Sequence, residues 1–359
     1  MSHRPHHVEP HHDKVRLLLA YKNFQAKAGI SHIGLGVSLQ NTAAVLRKHH
    51  VWAELLPIVK PSDVYGHLCG HKGGSKQHHE APFSHVVFSA PWVQPEEFLR
   101  LTHHFPDTTF ISLCHSNVGF LQFDARGVQH LRGYLNLEKA AHNFRVAGNN
   151  KRFCEWLRNT YRAPCAYLPN LYNLQRHHPY QRPPWDGSLL KIGCFGAVRP
   201  QKNLMCAVGA ALEVAVRVHA DTEIHVSDGR PENSHVIIRA LHEMVDGIRG
   251  VRLINNHWES WPEFLQTVHA MDLLMQPSYS ETFNVVCADG ISQGVPCVVG
   301  EAIEWAPKSW RAETDDASEI ARKGVHLLKD CHAAAEGWEA LEHYLKRGLE
   351  HWKEFLHQS

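Results

Sequence analysis

Short apolar runs alternate with longer segments of helical spacing along almost the whole chain, and this alternation limits the possible folds more than any other feature. In the first half the apolar runs lie at 14–21, 51–59, 84–90, 108–116, 144–149 and 165–170. Helix-forming segments lie between them, such as the one that opens with Pro95 and two acids. Strands that alternate with helices form parallel sheets with right-handed crossovers. We therefore predict an α/β fold with a parallel sheet in this half.

The pattern stops at a proline-rich segment and then begins again. Residues 174–187 contain three prolines and few aliphatic side chains, which indicates a linker. Beyond it we predict strands at 189–195, 222–227, 251–255, 272–277 and 295–299, and helices at 202–218, 234–245, 261–268 and 283–293. The predicted units are a disordered tail at 1–13, a first domain at 14–173, a second domain at 188–335 and a C-terminal helix at about 340–359.

The size and composition of the chain suit a globular protein of two domains. It has 359 residues, of which 43% are hydrophobic. No apolar run approaches the ~20 residues of a membrane span, and residues 1–13 lack the apolar region of a signal peptide. The nine cysteines are scattered singly. We therefore expect no transmembrane segment and a cytoplasmic location with reduced thiols.

Charge is distributed unevenly between the two halves. Residues 1–185 carry 21 Lys and Arg against 11 Asp and Glu, whereas residues 186–359 carry 16 against 25. Either the first half faces an anionic partner or the two halves attract each other across a cleft, and both interpretations stay open. The 31 histidines include several adjacent pairs, but no pair has a second pair at zinc-site spacing. We expect solvated histidines and no bound metal.

Residues 276–300 carry two carboxylates in a strand–loop–helix–strand pattern. Glu281 lies in the polar loop after the strand at 272–277, and Asp289 lies in the following helix with seven residues between the two. In open α/β sheets, ligands bind outside the carboxyl ends of the strands. Asp289 lies about two helical turns beyond Glu281, so the pair can contact different parts of one elongated ligand.

This stretch resembles the sugar-nucleotide signature of retaining GT-B glycosyltransferases, in which seven residues separate two Glu. The family's trailing Gly–Val–Pro–x–Val also matches, from Gly294 to Val298. The chain departs from the family at Asp289, which is one methylene shorter but equal in charge, and at Gln293, where a small side chain is usual. The resemblance implies a GT-B fold: two Rossmann-like domains that face each other across a cleft, with the C-terminal helix returning to the first domain.

The turn at 193–204 carries the groups that bind a diphosphate. Such a dianion needs backbone N–H groups at a helix start together with fixed cations. Gly196 permits close approach of the backbone, Arg199 offers a guanidinium fork and Lys202 supplies a point charge. Four residues at the start of the helix at 283–293 are expected to present free N–H groups to the same phosphates: Thr282, Phe283, Asn284 and Val285.

The resemblance also implies individual roles. In the family the first acid, here Glu281, holds hydroxyls of the donor sugar, and the second, here Asp289, holds the ribose. His115 ends a strand where the family often contacts the sugar, and Gly29 matches a glycine loop near the diphosphate and the acceptor. Trp258 either stacks on the base or belongs to the core or a hinge. The implied catalytic residues are Glu281, His115, Arg199 and Lys202, and the implied donor-binding residues are Gly29, Gly196, Trp258, Ser278, Thr282, Phe283, Asn284, Val285 and Asp289.

The activity implied by the resemblance is that of a retaining hexosyl- or pentosyltransferase, which moves a sugar from a UDP- or GDP-sugar to an acceptor hydroxyl. Arg199, Lys202 and the helix N-terminus would stabilise the departing diphosphate. The sequence has no Asp-x-Asp metal motif, and GT-B enzymes generally need no metal. We therefore expect neither a metal nor a cofactor besides the nucleotide-sugar co-substrate.

Two alternatives stay open. The basic first half and the Lys-, His- and Gly-rich segment 66–80 fit a transferase that glycosylates a hydroxylated base in DNA, for example of a phage. An anionic glycan or lipid is a further acceptor class. Alternatively, the chain binds nucleotide-sugars without turnover, which the change at Asp289 and the single glycine at Gly29 would fit. The presence of Arg199, Lys202 and Glu281 argues against that second alternative.

Overall fold

The computed structural model describes residues 15–23, 33–70, 83–176, 178–179, 182–227 and 234–358. Within these ranges the strands form two parallel six-stranded sheets, in agreement with the two predicted alternations. The tail predicted at 1–13, the loop with Gly29 and most of the segment 66–80 lie outside the described residues.

The first lobe is built on a sheet with the order β2-β1-β3-β4-β5-β6. Its strands are β1 (Arg16–Lys22), β2 (Trp52–Ile58), β3 (His85–Ser89), β4 (Thr109–Cys114), β5 (Phe144–Gly148) and β6 (Ala166–Tyr167). Its helices are α1 (Ile33–Lys48), α2 (Ser62–Leu68), α3 (Pro95–His104), α4 (Ala125–Ala140) and α5 (Lys151–Tyr161). The middle of β1, from Leu17 to Ala20, is fully buried because the sheet is covered on both faces.

The second lobe has the sheet order β12-β11-β10-β7-β8-β9. Its strands are β7 (Leu190–Cys194), β8 (Thr222–Ser227), β9 (Val251–Asn256), β10 (Leu273–Gln276), β11 (Cys297–Gly300) and β12 (Arg311–Ala312). Its helices are α6 (Leu204–Val218), α7 (Ser234–Val245), α8 (Trp261–His269), α9 (Val285–Ser292) and α10 (Ala317–Lys329). If β7 is counted as strand 1, the order read from β9 to β12 is 3-2-1-4-5-6, which is the strand order of a dinucleotide-binding Rossmann sheet.

A last helix, α11 (Ala333–Gln358), runs from one lobe to the other. Trp338 and Leu341, near its start, are buried in the core of the second lobe. Trp352 and Leu356, near its end, are buried in a core cluster of the first lobe. The indole N–H of Trp352 also donates to the carbonyl of Pro169 at 2.8 Å. The predicted return of the C-terminal helix to the first domain is therefore confirmed.

Two helices begin later than the sequence predicts. Helix α9 starts at Val285 rather than at 283, because Asn284 has a φ of 65° and its side chain accepts from the N–H of Cys287. Helix α6 starts at Leu204 rather than at 202, because a short 3-10 turn precedes Asn203, whose φ is 53°. Asparagine tolerates this left-handed conformation better than most residues, and each of the two helices begins directly after an asparagine. Helices α2 and α10 were not expected from the sequence.

Among the described parts of the chain, the helices are all too short or too polar to cross a bilayer.

Candidate active site

The topology of the second sheet brings the two charged motifs together. From β7 the chain runs outward through β8 and β9, and it then returns to β10 on the other side of β7. The sheet order therefore reverses between β7 and β10, whose residues Gly193 and Leu274 pair directly. The loops at 195–203 and 277–284 leave these neighbouring strands at the same edge. Ligands of open α/β sheets bind at such a reversal.

Hydrogen bonds hold these two loops against each other. The side-chain amide of Asn203 donates to the carbonyl of Pro277 at 3.1 Å, and the N–H of Tyr279 donates to the carbonyl of Gln201 at 2.9 Å. Because Asn203 adopts the left-handed conformation directly after the 3-10 turn, its side chain reaches the neighbouring loop. The turn that carries Lys202 thus has a fixed position relative to the loop that carries Glu281.

Glu281 and Lys202 form a short ion pair at the centre of the site. The ammonium of Lys202 lies 2.5 Å from Glu281 Oε1, and the exposed fractions of the two side chains are 22% and 9%. The amide of Asn284 donates to the same carboxylate oxygen at 2.9 Å. A carboxylate buried to this extent needs such partners, because an unpaired buried charge is strongly destabilising. The predicted sugar-binding acid is therefore held by the predicted phosphate-binding cation.

Two cavities meet at Lys202. The first, which we call the seam cavity, has a volume of about 150 Å³ and lies between the lobes. The second, which we call the donor-lobe cavity, has a volume of about 220 Å³ and a mainly apolar lining, most of it from the second lobe, with Gly34 and Val37 from α1 of the first lobe. The predicted site residues in the wall of the seam cavity are His115, Arg199, Lys202, Glu281 and Thr282. Those in the wall of the donor-lobe cavity are Gly196, Lys202, Trp258, Val285 and Asp289.

Asp289 is fully buried in the donor-lobe cavity wall and accepts two hydrogen bonds on one oxygen. The hydroxyl of Tyr172 donates to its Oδ1 at 2.7 Å, and the indole N–H of Trp261 donates to the same atom at 3.1 Å. Burial raises the pKa of Asp289 to about 7, although both hydrogen bonds act in the opposite direction. Sequence analysis missed Tyr172 and Trp261 as partners of this carboxylate.

His115 is enclosed in the wall of the seam cavity. Its Nε2 lies 2.9 Å from the hydroxyl of Ser89, and its Nδ1 accepts from the amide of Asn149 at 3.1 Å. With the amide in this orientation, the ring proton is on Nε2 and is donated to Ser89. Burial lowers the pKa of His115 to about 4, so the imidazole is neutral near pH 7. The ring therefore provides a fixed dipole rather than a charge.

Gly196 has a backbone conformation that other residues rarely adopt. Its φ is 124°, a region that favours glycine, and its N–H donates to the hydroxyl of Ser227 at 3.2 Å. A β-carbon at this position would lie 3.8 Å from the side chain of Lys202. The backbone conformation, more than the available space, thus requires glycine at this position in the wall of the donor-lobe cavity.

Three predicted donor-binding residues line neither cavity. Ser278 is fully buried. Phe283 is also buried, and its ring stacks against those of Trp305 and Tyr344 at centroid distances of 5.2 and 5.4 Å. Asn284 uses its side chain to cap α9, so the N–H of Cys287 is already occupied. All three side chains are therefore buried outside the cavity linings, and of the three Asn284 donates to the Glu281 carboxylate.

Within the described ranges of the chain, no three His, Cys, Asp or Glu side chains lie close enough to hold a metal ion.

The structure resembles solved glycosyltransferases. Sucrose-phosphate synthase from Thermosynechococcus elongatus shares 14% identity at a TM-score of 0.61, over 95% of this chain and 98% of the enzyme. HepE from Anabaena, solved with UDP and glucose, shares 13% identity at a TM-score of 0.60, over 94% of this chain and 98% of HepE. S. aureus TarM, solved with UDP, shares 15% identity at a TM-score of 0.57, over 76% of this chain but only 55% of TarM.

No protein-family model and no curated protein sequence matches the chain. At such low sequence identities, the structural likeness establishes the fold. The predicted GT-B fold, with two Rossmann-like lobes and a returning C-terminal helix, is confirmed.

Proposed function

We propose that the protein is a glycosyltransferase that moves a sugar from a nucleotide-diphosphate sugar to an acceptor hydroxyl, with retention at the anomeric carbon. The GT-B neighbours include HepE, whose structure holds UDP and glucose, and TarM, whose structure holds UDP. The proposal itself rests on the charges and cavities of this chain.

The observation that carries the proposal is that Lys202 lies in the walls of both cavities. The donor-lobe cavity, with Trp258 and Asp289, suits a nucleoside, because an aromatic face can stack on a base and a carboxylate can accept from ribose hydroxyls. The seam cavity, with Glu281 and Arg199, suits a sugar and its phosphate. A diphosphate that joins nucleoside and sugar would then lie next to Lys202, whose positive charge would balance the negative charge of the phosphates.

The proposed reaction needs charge stabilisation more than proton transfer by the protein. The acceptor hydroxyl oxygen bonds to the anomeric carbon on the face that the leaving group departs from. The bond from that carbon to the diphosphate breaks, and a phosphate oxygen takes the hydroxyl proton. Lys202 and Arg199 would balance the negative charge that builds on the diphosphate. Glu281, which pairs with Lys202, would accept hydrogen bonds from the sugar hydroxyls.

His115 would contribute as a neutral group. With a pKa lowered to about 4 by burial, it is a poor proton acceptor for a catalytic role at neutral pH. Its hydrogen bonds to Ser89 and Asn149 fix the ring in the wall of the seam cavity. We therefore assign it the positioning of the donor sugar.

The acceptor and the cellular location are part of the proposal. Residues 1–185 carry the excess of Lys and Arg, which favours an acceptor with an anionic group. Nine free cysteines favour a cytoplasmic location, since disulfides are rare in that compartment. A steep decrease of duplex DNA binding with increasing salt would favour nucleic acid as the acceptor, whereas no binding at low salt would exclude it.

A panel of UDP-, GDP- and ADP-sugars tests the proposal. At least one donor should raise the melting temperature, because a ligand that binds only the folded state stabilises it. That donor should then be hydrolysed slowly without an acceptor, and the anomer first released should be the one present in the donor. Stabilisation without hydrolysis or transfer would indicate a non-catalytic binding protein. No stabilisation by any donor would contradict the proposal.

A further inference from the structure

Glu281 is held by both lobes, through different atoms. Its carboxylate contacts Lys202 and Asn284, which belong to the second lobe. Its backbone carbonyl accepts from the side-chain amides of Asn117 and Asn150, each at 3.3 Å, and these two residues belong to the first lobe. The position of the carboxylate in the seam cavity therefore depends on contacts across the cleft.

The residues on either side of Glu281 make similar contacts. The hydroxyl of Ser280 donates to Asn117 Oδ1 at 2.6 Å. The amide of Asn149 lies 3.2 Å from the hydroxyl oxygen of Thr282 and donates to it. Three consecutive residues of the loop are thus hydrogen-bonded to asparagines of the first lobe. We call Asn117, Asn149 and Asn150 the asparagine clasp.

The first lobe presents these amides in a defined orientation. Asn117 Oδ1 accepts from the N–H of Phe120 at 2.8 Å, and Asn150 Oδ1 accepts from the N–H of Phe153 at 2.9 Å. Each side-chain oxygen therefore accepts from a backbone N–H of its own lobe, and each NH₂ group donates across the cleft. The direction of the two bonds to Glu281 follows from this local capping.

The topology of the first sheet explains the position of the clasp. Asn117 follows β4, and Asn149 and Asn150 follow β5, which is the neighbouring strand. Parallel neighbours end at one edge of a sheet, so both loops reach the cleft side by side. Amides are suited to this task because they give directional bonds without a charge that must be desolvated.

We propose that Asn117 and Asn150 are positioning residues that hold Glu281 against the donor sugar only when the lobes are closed. The inference rests on the proposed function, and it adds that the sugar-binding carboxylate is assembled by closure rather than supplied ready-made by the second lobe. Opening of the cleft would remove both amides from the Glu281 carbonyl. The Asp289 carboxylate is held by Tyr172 and Trp261 and by neither asparagine, so loss of the two amides alone would leave its hydrogen bonds in place.

The test replaces each amide by an isosteric carboxylate, in N117D, N150D and the double variant. Aspartate still accepts from Phe120 or Phe153, but it places an oxygen instead of an N–H against the Glu281 carbonyl. The matched control is N136D, since Asn136 is an exposed asparagine on α4. For the double variant we expect kcat to fall about tenfold to a hundredfold, because the lost contacts act on the transition state, while the Kd for UDP or GDP stays at the wild-type value.

Two readouts separate positioning from a general structural role. Melting temperature and nucleoside diphosphate binding should stay close to those of N136D, and small-angle scattering of the double variant should show a more open molecule. If the aspartates prevent folding, N117A and N150A provide the same comparison. A wild-type kcat in the double variant, or an equal loss of kcat and UDP binding, would overturn the inference while donor hydrolysis by the wild type still supports the proposed function. Absence of both donor hydrolysis and sugar transfer by the wild type would instead refute the proposed function, and the inference with it.

Discussion

The two sheets present different chemistry at the edges that face each other. The edge of the second sheet carries charged groups, among them Arg199, Lys202 and Glu281. The facing edge of the first sheet carries the neutral imidazole of His115 and the amides of the asparagine clasp. The lobes thus share a parallel α/β architecture, but the loops of the second lobe present charged groups to the cleft and those of the first lobe present neutral polar groups.

This difference separates binding from positioning. Cations and carboxylates attract a charged ligand strongly, but a buried charge needs a partner of opposite sign, as Lys202 and Glu281 are for each other. Hydrogen bonds from neutral amides are weaker, but they fix the orientation of the group that accepts them, and an amide needs no counter-ion. On this view the second lobe recognises the donor, and the first lobe orients it for reaction. The predictions below follow this division, from the largest expected effect to the smallest.

Replacement of Lys202 by Met should have the largest effect, because it removes the cation common to both cavities. We expect kcat/KM for the nucleotide-sugar to fall about 10²–10³-fold, as is typical when one preorganised group for the developing charge is lost. Steady-state transfer or hydrolysis measures this loss. K191M is the matched control, since Lys191 lies on β7 with its ammonium 3.9 Å from Glu223. Wild-type turnover in K202M would contradict the assignment of charge stabilisation to the second lobe.

Replacement of Glu281 by Gln separates sugar recognition from nucleotide recognition. The variant keeps the shape of the side chain but loses the charge that accepts from sugar hydroxyls. We expect affinity for the nucleotide-sugar to fall about tenfold to a hundredfold, the value of one or two hydrogen bonds to a charged group. Affinity for the sugar-free nucleoside diphosphate should not fall, because Asp289 and Lys202 remain. Calorimetry with both ligands measures the difference, and an equal loss for both would exclude a specific role in sugar binding.

A smaller effect is expected from the ionisation of Asp289. Burial raises its pKa to about 7, and ribose hydroxyls would stabilise the ionised form. Nucleoside diphosphate affinity should therefore increase from about pH 6 to about pH 8, by at most about tenfold per unit. His257 and Glu259 line the same cavity, so the comparison with D289N is needed to isolate the contribution of Asp289. D289N should remove the increase, and the same slope in D289N would assign it to another group.

The same carboxyl predicts how the stability of the ligand-free protein depends on pH. A folded-state pKa of about 7, above the ordinary 3.8, means that the native state holds the proton more tightly than the unfolded state. The contribution to stability is complete below the ordinary pKa and is lost as pH rises through about 7. Denaturant titrations of wild type and D289N across this range measure the contribution as a difference in slope.

Chelation of divalent metal ions should have no effect on turnover. In the proposed site, Lys202 and Arg199 balance the charge of the diphosphate, a task that a divalent ion performs in metal-dependent enzymes. We therefore expect EDTA to leave turnover unchanged. Loss of activity with EDTA and its recovery with Mn²⁺ would show that these cations are not sufficient.

Much of this arrangement was predictable because it depends on local pattern. The alternation of apolar runs predicted both sheets, and strand ends predicted that the loops with Lys202 and Glu281 meet, since parallel strands present their carboxyl ends at one edge. The helix starts predicted at 202 and 283 were two residues too early, because Asn203 and Asn284 are in the left-handed conformation and the helices begin directly after them. The apolar pattern that predicted those helices contains no signal for such a conformation.

The sequence alone determined the two-lobe α/β architecture and the clustering of charges at one sheet edge, because the apolar periodicity and the alternation of strands with helices can be recognised in short stretches of the chain. Only the tertiary structure decided which groups control those charges. Tyr172 donates to Asp289 across 117 positions, and Asn117 donates to the Glu281 carbonyl across 164 positions. Hydrogen bonds between such distant residues depend on how the lobes and α11 pack, and no local pattern encodes that packing.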